Sequence, residues 1–135
     1  VTLDEVNALD REAFTVRLAH IAEDSPWVAY GAWDYRPFAD PLELVAAFRG
    51  AVARADDERQ LALIEAHGDL AGDATRAYRE RFGFPFVIST HQHSPDALLA
   101  AYEQRLTHEP ELEAAIALDE VVKIIRVRIA DLLAV

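Results

Sequence analysis

Apolar residues recur every three to four positions over most of the chain, the spacing of a single buried helical face. Phe14, Leu18 and Ile21 form one such stripe, and Leu42, Val45, Phe48, Arg49 and Val52 follow at the same spacing. Leu98, Leu99, Tyr102 and Leu106 make another. The longest stripe, Leu118, Val121, Val122, Ile125, Ile129 and Leu132, predicts a final helix from about Pro110 to Leu133. Start signals agree with these stripes. Thr2 with Glu5, and Asp40-Pro41 with Glu43, read as capping boxes. Asp10 can cap a helix, with Leu9 and Phe14 placed as a hydrophobic staple. Ser25-Pro26 and Ser94-Pro95 put a hydroxyl at the N-cap and proline at the first helical position, where its missing amide costs nothing. Asp56, Asp57 and Glu58 suit the positive end of a helix running to His67, and Gly68 suits its left-handed exit.

One stretch breaks the helical pattern. Phe84-Pro85-Phe86-Val87-Ile88-Ser89-Thr90 is aromatic and β-branched, and Pro85 forbids a helix interior. The expected fold is therefore all-α: a single-domain helical bundle over residues 1–135, with at least six helices and one extended segment from Phe84 to Thr90. No sheet of three or more strands is expected.

Composition narrows the function classes. The 135 residues are 52% hydrophobic and 27% charged, ordinary for a folded globular domain. The net charge of −11 repels phosphate backbones and anionic lipid, so neither nucleic acid nor a membrane is the expected partner. There is no cysteine, which excludes disulfides, a thiolate nucleophile and Cys-based zinc sites. No apolar run approaches the 18 residues of a membrane span. The opening Val1-Thr2-Leu3-Asp4-Glu5 lacks the basic and apolar regions of a signal peptide, and the expectation is a cytoplasmic protein.

Few residues stand out for chemistry. His67 shares the inward face of Leu63 and Ile64. It sits at a helix C-terminus, where the dipole favours a protonated ring. It can act as a proton donor at the rim of a pocket, or it can simply satisfy helix-end carbonyls. Arg128 flanks the stripe of the last helix. It can offer its fork to a carboxylate or ureido oxygen, or its stem can just cover apolar surface. His91 and His93 form an H-x-H pair, but no third ligand lies at metal-binding spacing, and polar loop residues are the preferred reading. Trp27, Trp33 and Phe38 could line a pocket, although such aromatics more often pack in the core. No phosphate loop, dinucleotide fingerprint, nucleophile elbow or zinc-protease motif occurs. Residue by residue, this amounts to a helical domain with a candidate His/Arg pocket.

Several segments read together resemble the 2-oxo-4-hydroxy-4-carboxy-5-ureidoimidazoline (OHCU) decarboxylases. Ser25-Pro26-Trp27-Val28-Ala29, Ala32-Trp33 and Arg36-Pro37-Phe38 are similar to that family's N-terminal signature. Ala66-His67-Gly68-Asp69-Leu70-Ala71-Gly72 resembles its H-P-D-L-A-G segment. Tyr78-Arg79-Glu80-Arg81-Phe82-Gly83-Phe84-Pro85-Phe86-Val87-Ile88 resembles its Y-x-x-[KR]-F-G-F-P-F-V-I block. Arg105-Leu106, Glu113, Ala117, Glu120-Val121, Lys123-Ile124 and Arg128-Ile129 follow its C-terminal helices. The resemblance implies an all-α, commonly dimeric, cofactor-free enzyme that converts OHCU to (S)-allantoin in urate breakdown, with no metal. It implies His67 as the catalytic proton donor and Arg128 as the residue that holds the substrate. It implies Gly68, Phe86, Val87, Ile88, Ser89 and Thr90 as the ligand-lining set, and a small ureide and a second copy of the chain as partners.

Two departures from the family pattern stand out. Gly68 replaces a proline. The family's S-x-x-E-Q segment, whose Glu is a second catalytic residue, has no counterpart, because Asp73-Ala74-Thr75 run almost directly into Tyr78. The expectation is that consecutive numbering here closes over a hidden lid, visible as a Cα spacing well beyond about 3.8 Å between Ala71 and Ala77. A true deletion would instead favour a family member that binds ureides, or serves as a scaffold, without turning them over.

Overall fold

Short polar side chains open most of the helices by accepting amides that the first turn cannot pair. The computed structural model describes residues 1–23, 25–67, 75–90 and 93–133. Thr2 accepts the Glu5 amide at 3.1 Å and starts α1, Leu3–Ala8. Asp10 accepts the Ala13 amide at 2.8 Å and starts α2, Arg11–Arg17. A 3-10 turn over Ala19–Ile21 leads into α3, Pro26–Ala32, and another over Trp33–Tyr35 follows it. Asp40 accepts the Glu43 amide at 2.9 Å to start α4, Pro41–Arg54, while the Glu43 carboxylate accepts the Ala39 amide. Asp56 accepts the Arg59 amide at 2.8 Å ahead of α5, Asp57–His67. Helix α6, Arg76–Phe82, ends at Gly83, whose φ of 81° is the left-handed geometry that glycine adopts without strain. Ser94 accepts the Ala97 amide at 3.1 Å to start α7, Pro95–Arg105, and α8 runs over Pro110–Leu133. The fold is all-α, with eight α-helices among the described residues.

The stripes find one core. Phe14, Leu18 and Ile21 are fully buried, as are Phe48 of α4 and Val121 and Ile125 of α8. Helix α4 packs between α3 and α8, and α5 lies against α8. Gly31 lets α3 approach α4 closely, since a Cβ there would stand 3.3 Å from the Ala51 Cβ. Two expectations change. Leu42 and Leu99 are exposed, and the fully buried leucine of α4 is Leu44; the inward face of that helix is rotated from the one Leu42 would join. Ser25 precedes α3 but makes no cap; its buried hydroxyl donates instead to the Glu23 carbonyl at 2.8 Å. Phe38 keeps the core role preferred for it, buried and stacked on Phe14 with centroids 6.2 Å apart.

Phe84 to Thr90 breaks the helical pattern as expected, and it belongs to no helix or strand among the described residues. Side chains hold it instead. Arg105 donates Nη1 to the Val87 carbonyl at 2.7 Å, and the Ser89 amide donates to Glu120 Oε1 at 3.1 Å. Arg105 is itself ion-paired with Glu113, and both are buried. Glu113 also accepts the Tyr78 hydroxyl at 2.5 Å and faces His108 Nδ1 at 3.1 Å. Burial, and then the Glu113 hydrogen bond, push the Tyr78 hydroxyl well above its ordinary range, so it remains a donor. Gly68, His91 and the junction at Asp73 and Ala74 lie outside the described residues.

Candidate functional site

Clamping one side of an extended segment frees the other. Residues two apart in such a segment point their main-chain groups the same way. Val87 and Ser89 are engaged by Arg105 and Glu120, and the Thr90 carbonyl accepts the His93 amide at 3.2 Å. Neither the Ile88 amide nor the Thr90 amide has a hydrogen-bond partner among the described residues. Ile88, Ser89 and Thr90 form one wall of a cleft of about 390 Å³. Ile124, Val127, Arg128 and Asp131 of α8 form the facing wall. The volume suits a small, planar, polar molecule.

Arg128 is fixed rather than left to cover apolar surface. Its Nη1 donates to the carbonyls of His20 and Ile21 at 3.2 and 3.3 Å, and its Nη2 donates to Glu23 Oε1 at 2.6 Å. The side chain remains 29% exposed on the cleft side. A guanidinium has five N–H donors, so at least two are left for a ligand.

His67 closes α5. Its Nδ1 lies 2.9 Å from the Leu63 carbonyl. A carbonyl only accepts, so Nδ1 carries the proton and Nε2 presents a lone pair. Nε2 is buried without a hydrogen-bond partner among the described residues. Burial lowers the pKa of the ring below 6.5, opposed by the Leu63 hydrogen bond. Arg128 lowers it further, and Glu23 raises it. The protonated ring expected from the helix dipole is therefore reversed: desolvation outweighs the helix end, and the resting ring is neutral. His67 is near enough to Arg128 and Glu23 to feel both charges, yet it is not among the residues that form the cleft walls.

The other expected site residues divide. Ile88, Ser89 and Thr90 reach the cleft. Phe86 and Val87 do not. The Phe86 ring is fully buried 5.1 Å from both Tyr78 and Tyr102, with the Arg105 guanidinium 4.5 Å from its centroid. The Val87 carbonyl belongs to Arg105. Sequence reasoning passed over Glu23 and Asp131, which carry no motif of their own. It also gave no role to the Arg105–Glu113 pair, although a helix-end Arg and a first-turn Glu eight residues apart could have suggested one. A comparable cleft of about 320 Å³ between Phe38, Tyr35 and α4 has no histidine in its lining, and its Glu43 is engaged as a helix cap.

The fold is an all-α domain in which an anchored arginine lines a cleft and a neutral histidine lies within reach of its charge. The comparisons with known proteins make the class specific. A family model described as OHCU decarboxylase matches residues 7–77 and again residues 72–130. The OHCU decarboxylase of Haloferax volcanii is 39% identical over 160 aligned positions, covering 97% of this chain and 95% of the relative. The uric acid degradation bifunctional protein of Bacillus subtilis is 30% identical, covering 98% of this chain and 33% of that protein. A crystal structure of (S)-allantoin synthase superposes with a TM-score of 0.87 at 29% identity, covering 97% of this chain. The chain spans 53% of that solved chain. This chain belongs to the OHCU decarboxylase family.

The same comparisons locate what is missing. The 160 aligned positions with the H. volcanii relative exceed the 135 residues here, so that relative carries a segment this chain lacks. The two family matches meet at residues 72–77, where the S-x-x-E-Q segment was expected. No glutamate lies between Gly68 and Ala77.

Proposed function

We propose that this protein decarboxylates OHCU to (S)-allantoin without a cofactor, as a homodimer in the cytoplasm. What supports the reading is the gathering of Arg128, the Ile88–Thr90 backbone and the buried His67 at one corner of the fold, in a chain of this family.

The chemistry follows from the substrate. Its carboxylate sits on a carbon next to a ring C=N, so the electron pair released with CO₂ passes into the ring. The protein has to hold the anion, exclude water and return one proton to one face. The free N–H groups of Arg128 hold the carboxylate. The unpartnered amides of Ile88 and Thr90 donate to the ureide carbonyls. Gly68 stays in this reading as a lining residue, while Phe86 and Val87 act by anchoring the segment.

His67 starts neutral. When the substrate's negative charge docks on Arg128, it offsets the guanidinium that depresses the histidine. Proton uptake at Nε2 becomes easier. The C–C bond to the carboxylate breaks, CO₂ leaves, and the Nε2 proton goes to the carbon that lost it. Delivery from a single side makes the product chiral.

The test is an assay of freshly generated OHCU followed by circular dichroism. Appearance of dextrorotatory allantoin faster than in buffer is expected, and a rate equal to the spontaneous one would remove the proposal. The missing segment at 72–77 favours one alternative, a ureide-binding protein without turnover. Calorimetric binding of allantoate with no rate enhancement would select it.

A further inference from the structure

Arg128 and His67 share one neighbour that has no part in the reading above. Glu23 stands between the first 3-10 turn and α3, and its carboxylate meets Arg128 Nη2 at 2.6 Å. Its backbone is tied down from both sides. The buried Ser25 donates its hydroxyl to the Glu23 carbonyl at 2.8 Å, and the Ser25 amide donates to the Ala22 carbonyl at 3.1 Å. That explains why the serine before Pro26 gives up its role as a cap. The turn is built to carry Glu23 rather than to start a helix.

The contact places the guanidinium. Nη1 is seated on the His20 and Ile21 carbonyls, and Glu23 takes Nη2. With acceptors on two of its nitrogens, the planar group is held against rotation, and Arg128 lines the cleft. The charges acting on His67 are Arg128 from α8 and Glu23 from this turn, and they oppose one another. Without Glu23, a free cation would sit beside a buried imidazole that has to accept a proton. Among the described residues, Glu23 is the carboxylate that meets Arg128 and acts on His67.

We propose that Glu23 is a positioning residue for the decarboxylation, holding the Arg128 fork toward the substrate carboxylate and balancing its charge beside His67. The proposal rests on the decarboxylase reading for its kinetic half only. Its electrostatic half concerns the free protein and can be tested without turnover.

The experiment compares wild type, Glu23→Gln and Glu23→Asp. Titration of the His67 ring by ¹H–¹⁵N NMR in the free protein should move to lower pH in Glu23→Gln and return most of the way in Glu23→Asp. In the OHCU assay, Glu23→Gln should raise KM roughly tenfold, the worth of one charge-assisted hydrogen bond. It should also move the acidic limb of the kcat profile in the same direction as the NMR titration. An unmoved His67 titration, or a pure loss of folded protein with unchanged kinetics per folded molecule, would overturn the proposal. Wild type that gives no turnover would overturn the decarboxylase reading, while the NMR comparison would still decide the role of Glu23.

Discussion

At the end of α5 two effects act on His67 in opposite directions. The helix C-terminus favours a positive ring by about 0.3–1 kcal/mol at an exposed site. Burial of the ring opposes it and prevails. This sets a stability prediction with a definite sign. A folded pKa below the unfolded value of 6.5 means that the unfolded chain binds more protons near that pH. The contribution of His67 is complete above pH 6.5 and is lost as pH falls toward the folded pKa. Urea midpoints should therefore decline from pH 7.5 to pH 5.5, and His67→Ala should decline less steeply. An equal slope in both proteins would show that the ring is not desolvated. In the OHCU assay, His67→Ala should lower stereoselective turnover by about 10²–10⁴-fold, the usual worth of a proton-transfer group, with an unchanged far-UV circular dichroism spectrum. Its backbone acceptor, Leu63, was legible from the four-residue spacing. The neutral state was not, because it depends on how deeply other elements bury the ring.

At the scale of elements, the extended segment depends on charges that the sequence does not mark. Arg105 and Glu113 lie on α7 and α8 and meet in the core under Val87. Removing one partner of such a pair takes away its buried counter-charge and costs about 3–5 kcal/mol, although Glu113 keeps the Tyr78 hydroxyl and His108. Arg105→Met should lower stability by that amount in urea unfolding. It should also weaken ureide binding, because Val87 loses its anchor and the Ile88 and Thr90 amides lose their aim. Arg105→Met combined with Glu113→Leu should recover part of the stability but not the binding. Full recovery of both would mean that the clamp has no part in shaping the cleft. The capping signals of α1, α2, α4 and α7 were readable because each involves residues three apart in the chain. Ser25 and Leu42 misled for a related reason: their local options were sound, but a turn and a packing face elsewhere took them.

For the whole molecule, charge and length matter most. A net charge of −11 repels itself in the compact state, and salt screens that repulsion within about 10 Å at 0.1 M. The melting temperature should rise between 0.05 and 0.5 M sodium chloride, and a fall would mean that specific ion pairs outweigh the repulsion. The gap at residues 72–77 makes a second prediction. Inserting the corresponding segment of the H. volcanii relative there should raise kcat for OHCU if it carries the glutamate that the family resemblance implies. No gain in a folded insertion variant would show that the shorter chain is complete for its task. The Cα spacing expected between Ala71 and Ala77 to reveal a hidden lid falls on a junction whose residues 71–74 lie outside the described ones.

Most helix positions, the break in the helical pattern at Pro85 and the family were determined by the sequence itself, the first two by local periodicity and backbone chemistry, the third by likeness to known members. These depend on residues near one another in the chain, or on a pattern already known. The tertiary structure decided the rest. It put Phe86 in an aromatic core instead of a binding wall, turned His67 neutral, and brought Glu23 across more than a hundred residues to Arg128. The reason is physical: burial and Coulomb attraction act through space, and no spacing along the chain encodes them.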